Sequence, residues 1–222
     1  MTTVLVIGGG IIGTMHAREA LKKGHRVVHV ERDGRPRSAS VRNFGLVWIG
    51  GRASGEELSL SLRTRELWQE LHEEFNGVDF RGNGSMTIAR NDAELRVLEQ
   101  SMEKADAESR QWQLLTPDEV RRVNPALKGS FLGGLYCPLD AAVEPSLILT
   151  QVRAALLSNP NYQWNNNVDI ISVVDLGGTV RAVAKDGRKF DADMAIVCPG
   201  ADHTSLFDEE LREAPLRRVR PA

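Results

Sequence analysis

The stretch VLVIGGGIIG, residues 4–13, constrains the fold most, because four apolar residues run directly into three consecutive glycines. A short continuous apolar run reads as a parallel strand covered on both faces. Ile11 to Lys23 has helix composition, with Ile12, Met15, Ala20 and the aliphatic stem of Lys23 expected on the buried face and Gly24 at the stop position. Val27 to Val30 reads as a second strand that ends at Glu31. Within this βαβ unit, Gly8, Gly10 and Gly13 have the spacing G-x-G-x-x-G. The first glycine permits the tight turn, the second lets a pyrophosphate approach the backbone, and the third lets helix and strand pack closely. The amides of Ile11 and Ile12 and the positive end of the helix dipole then face the phosphates. Glu31 follows Gly13 by 18 residues, with Arg32 beside it, where such folds place an acid on the adenosine ribose. A glycine-rich loop without a ligand is the plainer reading of the glycines alone; strand, helix, second strand and terminal acid together point to a dinucleotide.

Composition narrows the partners. At 222 residues, 41% hydrophobic and a formal net charge of −2, the chain reads as one large or two small globular domains. Its arginines are interspersed with Asp and Glu, a solvated surface rather than a phosphate-tracking stripe, so no nucleic acid is expected. No apolar stretch approaches the roughly 18–20 residues of a membrane span, so no membrane partner is expected. No Lys or Arg precedes Val4 and glycines interrupt the apolar run, which argues against a secretory signal. Two distant cysteines, Cys137 and Cys198, suit a reducing cytoplasm. The five histidines have no metal-ligand spacing, and no metal is expected.

After Glu31 the chain reads RDGRPRSASVRNFGLVWIGG, without the prompt return to helix of a plain NAD domain. Here it resembles the D-amino-acid oxidase, glycine oxidase and sarcosine oxidase family of flavoproteins, whose S-x-x-N-x-G pattern falls on Ser40, Asn43 and Gly45. The resemblance implies FAD as cofactor, with this loop, including Arg42, lying along the pyrophosphate toward the flavin ring; a solvated loop carrying Arg35, Arg37 and Arg42 is the alternative. In KFDADMAIVCPGAD, Met194 to Cys198 reads as a strand, and Pro199 and Gly200 fall where the family writes a turn beside the first phosphate loop. Val168 matches the position from which the family holds adenine through backbone atoms, although a packed strand valine would look the same. Asn167 to Val174 and Thr179 to Ala184 read as strands, with Asp186-Gly187 as a hairpin turn.

The middle of the chain reads as a different domain. Ser54 to Glu57 is a capping-box pattern ahead of Leu58, Leu62, Trp68, Leu71 and Phe75 at mostly helical spacing, a stripe read as core. A strand in FRGNGSMTIAR, a charged helix over Asp92 to Gln111, a helix start at Thr116-Pro117-Asp118-Glu119 and a helix entered near Pro145 follow. The resemblance implies an α/β fold: a Rossmann-like FAD-binding domain, residues 1–76 and 146–205, with an inserted antiparallel-sheet substrate domain, residues 77–145 and 206–222, incomplete at the C-terminus because family members continue well beyond position 222.

The resemblance implies that a small-molecule amine gives a hydride to flavin N5, that the imine is hydrolysed, and that molecular oxygen reoxidises the flavin to give peroxide. The protein orients the C–H bond and holds the acid group while the cofactor does the hard chemistry. SASVRNFGLVW and VCPGAD resemble the branch linked with phosphonate breakdown, which implies an aminophosphonate substrate and an arginine fork, with Arg42 and Arg52 as candidates. A glycine- or sarcosine-type amino acid oxidase, an inactive FAD-binding fragment and an NAD(P)-dependent oxidoreductase are the alternatives. No catalytic residue is assigned.

Overall fold

A computed structural model describes residues 1–75 and 78–206. In chain order the elements are β1 Thr3–Ile7, α1 Ile11–Lys22, β2 Arg26–Val30, a 3-10 turn Ala39–Val41, β3 Leu46–Val47, α2 Glu56–Glu74, β4 Ser85–Ala89 and α3 Asp92–Met102. There follow β5 Gln113–Leu115, α4 Pro117–Val123, β6 Gly133–Cys137, β7 Ala141–Ala142, α5 Pro145–Leu156, β8 Tyr162–Asn165, β9 Ile170–Asp175, β10 Val180–Ala184, β11 Lys189–Ala192 and β12 Met194–Val197. The chain divides into two compact units, Met1–Asn43 with Pro145–Ala222, and Phe44–Glu144. Residues 44–75, grouped with the first domain from sequence, cluster with the second unit. Most of the tail expected in the substrate domain, from residue 207 on, lies outside the described residues.

The first unit is built on a parallel sheet in the order β12-β1-β2-β8. Its central strands are buried on both faces, which is why they read as unbroken Val/Leu/Ile runs: Leu5, Val6, Val27 and Val30 are all inaccessible to solvent. A three-stranded antiparallel sheet, β11-β10-β9, contributes Ile170, Ala182, Ala184 and Ala192 to a core shared with Leu5, Ile7, Val30 and Val168. The hairpin between β10 and β11 turns at Asp186-Gly187, where Gly187 N donates to Ala184 O. Strand β9 starts at Ile170, later than the expected Asn167: Asn167 adopts φ +53, a left-handed conformation that asparagine tolerates and that cannot extend a strand.

Helix α1 corrects most of the expected buried face: of Ile12, Met15, Ala20 and Lys23, only Ala20 is buried. Gly13, Thr14, Ala17, Arg18 and Ala20 are buried, while Ile12 is 63% exposed. The reason is proximity: a Cβ on Gly13 would lie 1.9 Å from Gly8 O and 3.3 Å from Val6 Cγ1, so the facing stripe must be small.

The second unit has an antiparallel sheet in the order β4-β6-β5, with Ala89, Leu98 and Leu135 packed together, and a short β3-β7 pair. Helix α4 begins as expected, with Thr116 and Glu119 capping each other: Thr116 N donates to Glu119 Oε2 at 2.8 Å, and Glu119 N donates to Thr116 Oγ1 at 3.4 Å. Helix α2 does not use Ser54. Its N-cap is Gly55 at φ +83 with no side-chain cap, and Glu56 and Glu57 complement the helix dipole instead. Of its apolar stripe, Leu58 and Leu71 are buried, and Leu62, Trp68 and Phe75 are half-buried. Helix α3 ends at Met102 rather than near Gln111. Tertiary contacts override the helical pattern there: buried Arg110 pairs with Asp106 at 2.6 Å and donates to the carbonyls of Ile49, Gly50 and Arg52 at 2.9, 3.2 and 2.7 Å. From the other side, buried Asp140 accepts from the amides of Ile49 and Gly50 at 2.6 and 2.8 Å, so the 49–52 loop is gripped at both its donors and its acceptors. Among the described residues no helix is long and apolar enough to cross a membrane.

Candidate functional site

The C-terminal ends of β1, β2 and β12 open onto one groove in the first unit, the position at which open parallel sheets bind ligands. Gly8 leaves β1 at φ +112 and its amide donates to Val30 O at 2.8 Å, so the chain crosses the end of β2 directly. A Cβ on Gly8 would lie 2.2 Å from Cys198 O, which explains why β12 can return so tightly beside the loop. Gly10 is the N-cap of α1 and has no side chain to shield its backbone. Among the described residues the amides of Gly10, Ile12 and Gly13 have no hydrogen-bond partner, whereas Ile11 N donates to Ser40 Oγ at 3.0 Å. Unpaired helix-start amides beside a loop that lacks Cβ atoms make a donor set suited to a pyrophosphate.

The groove is lined by Gly8, Gly10, Glu31, Arg32, Ser40, Val168, Pro199 and Gly200, all expected from sequence. Gly13 backs the loop, and Ile11 reaches it through Ser40. Ile12, Arg42, Asn43 and Gly45 do not line it. Ile12 faces solvent, Arg42 is exposed, Asn43 Nδ2 donates to Ala39 O at 2.9 Å, and Gly45, at φ +68, belongs to the other unit, where its carbonyl accepts from Val143 N at 2.8 Å. In the S-x-x-N-x-G pattern, therefore, Ser40 and Asn43 shape the turn's backbone. Pro36, Arg37, Asp169, Cys198 and Asp202 also line the groove without having been singled out for it. Pro36 and Arg37 lie in the arginine-rich loop and Cys198 and Asp202 in VCPGAD, stretches already marked in the sequence, whereas Asp169 has no local pattern. The sheltered part of the groove is about 140 Å³, below the few hundred Å³ of a closed pocket, so it is an open trough suited to an extended ligand.

Glu31 occupies the end of β2, but its carboxylate is tied to the backbone. Oε2 accepts from Gly9 N at 2.6 Å and Oε1 accepts from Asp33 N at 3.0 Å. A carboxylate has about four lone-pair sites, so two remain for ribose hydroxyls. Arg32 pairs with Asp202 at 3.0 Å, and that hydrogen bond raises its pKa further. Val168 is almost fully buried and donates its amide to Glu31 O at 2.9 Å, giving the groove an apolar floor. Burial pushes the Cys198 thiol up, so it is protonated at neutral pH.

The family profile described as "DAO: FAD dependent oxidoreductase" matches residues 3–222. The chain belongs to this family. FAD is thus the cofactor of the family to which this DAO chain belongs, and the glycine loop, free amides and strand-end acid fit its dinucleotide half. Among solved structures, glycine oxidase from Bacillus cereus superposes with a TM-score of 0.77 at 24% identity, covering 93% of this chain and 57% of that one. Among curated relatives, D-amino acid dehydrogenase 2 of Pseudomonas aeruginosa is 25% identical over 154 residues, which are 69% of this chain and 36% of that protein. The mitochondrial pyruvate dehydrogenase phosphatase regulatory subunit of Mus musculus is 24% identical over 218 residues, 96% of this chain and 25% of that protein. The DAO chain described here thus spans about a quarter to a little over half the length of these proteins.

Proposed function

We propose that this chain carries the FAD-binding part of an enzyme that oxidises a small amino compound at the carbon next to nitrogen, with an aminophosphonate as the favoured substrate class, molecular oxygen as electron acceptor and the cytoplasm as its compartment. The observation that carries the reading is the groove at the ends of β1 and β2, where unpaired amides, bare glycines and Glu31 meet. In it the Gly10 amide and the start of α1 neutralise pyrophosphate charge. Glu31 accepts from ribose hydroxyls with its spare lone pairs, and Val168 lies beneath the adenine. FAD bound there supplies a two-electron acceptor for the C–H bond.

The family names of the relatives support the amino-compound class, glycine oxidase and D-amino acid dehydrogenase among them. The aminophosphonate rests on SASVRNFGLVW and VCPGAD and on an arginine fork for the phosphonate. Arg52 is already engaged, donating to Trp48 O at 3.0 Å and pairing with Glu57 at 3.4 Å, which leaves exposed Arg42 as the stronger candidate.

The test titrates apo protein with FAD and with NAD(P), then assays the holoprotein for peroxide with aminoethylphosphonate, its N-methyl form, glycine, sarcosine and D-alanine. Tight FAD uptake that Gly10→Asp abolishes is expected, with peroxide from the phosphonates. NAD(P) binding without FAD would overturn the cofactor assignment. Turnover of glycine or D-alanine alone would return the substrate to the glycine/sarcosine type, and bound flavin without turnover of any amine would favour a binding fragment.

A further inference from the structure

Three consecutive glycines give the 8–10 turn its close approach to a ligand, and they also make its peptide planes easy to flip. A flipped plane would aim a carbonyl oxygen at the pyrophosphate in place of an amide. The structure holds two of these planes from behind, with Glu31 and with side chains that the functional reading above does not use.

The Gly8–Gly9 plane is gripped at both ends. Its N–H, on Gly9, donates to Glu31 Oε2 at 2.6 Å. Its carbonyl, on Gly8, lies 2.9 Å from Nε2 of His29, a fully buried residue of β2. A carbonyl only accepts, so Nε2 carries the hydrogen, and Nδ1 is left to accept from the Tyr162 hydroxyl of β8 at 2.9 Å. Burial depresses the His29 pKa to about 4, consistent with a neutral ring at working pH.

The Gly9–Gly10 plane is held through its carbonyl. Arg153 of α5 donates from Nη2 to Gly9 O at 3.1 Å, and Thr14 Oγ1 donates to the same oxygen at 3.3 Å. The Arg153 guanidinium stacks 3.8 Å from the centre of the Trp164 ring, and Trp164 meets His29 edge-on at 4.8 Å, so one packed cluster holds both donors in place. The N–H of this second plane belongs to Gly10, and it has no partner among the described residues. Pulling Gly9 O backward therefore turns Gly10 N–H forward.

We propose that His29 and Arg153 are positioning residues for the dinucleotide: by fixing the Gly8 and Gly9 carbonyls they preorganise the Gly10 amide for the pyrophosphate, and Tyr162 serves them by selecting the His29 tautomer. The proposal rests on the FAD assignment of this groove. Preorganisation raises affinity by removing an ordering cost that the ligand would otherwise meet on binding.

The experiment measures affinity of the apo chain for FAD and for ADP in His29→Phe, His29→Gln, Arg153→Met, Arg153→Gln and Tyr162→Phe, with apo melting midpoints alongside. His29→Phe and Arg153→Met lose a donor and should weaken both ligands about tenfold or more. The two Gln variants keep an N–H for the same carbonyls and should recover a large part of that loss, which a merely structural role would not predict. Tyr162→Phe keeps the apolar shape and provides the readout if the others fold poorly. It should weaken FAD a few-fold, and nitrogen-15 shifts of His29 should change from one tautomer to a mixture. Parent-like affinity within twofold in folded His29→Phe and Arg153→Met, or an unchanged His29 tautomer in Tyr162→Phe, overturns the positioning role while leaving FAD binding intact. A parent chain that takes up neither FAD nor ADP overturns the cofactor reading and this inference together.

Discussion

Alanine at Gly10 and at Gly13 should separate binding from folding. At Gly13 the new Cβ would be 1.9 Å from Gly8 O, a backbone atom, against an ordinary contact of about 3.4 Å. Helix α1 and β1 must therefore part by about 1.5 Å, and overpacking against backbone, which cannot swing aside, costs about 3 kcal/mol, the upper end of the usual range. The gain in helix propensity returns about 1 kcal/mol, leaving a net loss near 2 kcal/mol, or about 4–8 °C in melting midpoint for a chain of this size. At Gly10 the Cβ meets only Ser40 Oγ, at 3.0 Å, and φ is −69, which alanine adopts freely. A hydroxyl rotates aside at little cost, so the midpoint should hold within about 2 °C. Both variants should lose FAD, Gly10→Ala because the methyl fills the pyrophosphate's approach and Gly13→Ala because the loop moves. Apo melting followed by circular dichroism, paired with FAD titration, checks both. Parent-like FAD affinity in Gly10→Ala would refute the placement of the pyrophosphate, and an unchanged midpoint in Gly13→Ala would refute the close packing.

Three further outcomes follow from the geometry. His29 has a folded pKa near 4 against 6.5 unfolded, so the unfolded chain binds the extra proton; its contribution is complete above about pH 6.5 and is lost as pH falls toward 4, by up to about 3 kcal/mol, measured as the difference in urea stability between parent and His29→Gln. Glu31→Ala should lower both apo stability, by about 1–3 kcal/mol, and FAD affinity, because the Gly9 and Asp33 amides lose their acceptor; a change in FAD affinity alone would mean that the loop does not lean on this carboxylate. Arg110→Met strands Asp106 and three carbonyls in the second unit and should cost about 3–5 kcal/mol, a midpoint fall on the order of 10 °C; a fall below 2 °C would show the clamp to be dispensable.

Legibility in the sequence followed the range of the interactions. The βαβ unit was readable because strand, turn and helix each depend on neighbours within a few residues, and Thr116 announced α4 for the same reason. The groove's first wall was readable for that reason too, since Gly8, Gly10 and Glu31 belong to one motif. The buried face of α1 was misread because apolar size misled where close approach required Gly13, Thr14 and Ala17. The extent of α3 was misread because Arg110 answers to carbonyls some 60 positions away. His29 and Arg153 carried no pattern: each gains its meaning from Gly8 and Gly9 carbonyls that only the fold brings near.

The grip on the 49–52 loop has a consequence for the order in which the second unit takes shape. The amides of Ile49 and Gly50 wait for Asp140, 91 and 90 residues downstream, and their carbonyls wait for Arg110, 61 and 60 residues downstream. At about 5–20 residues per second, a ribosome delivers Asp140 roughly 5–20 s after the loop. Until Arg110 follows, about 3–12 s after the loop, a hydrophobic segment containing Val47, Trp48 and Ile49 has neither half of this grip, and the second half comes only with Asp140, between β6 and β7. A nascent chain halted between residues 76 and 110 should therefore expose this loop to protease, and one halted beyond 140, with enough further chain to clear the exit tunnel, should protect it.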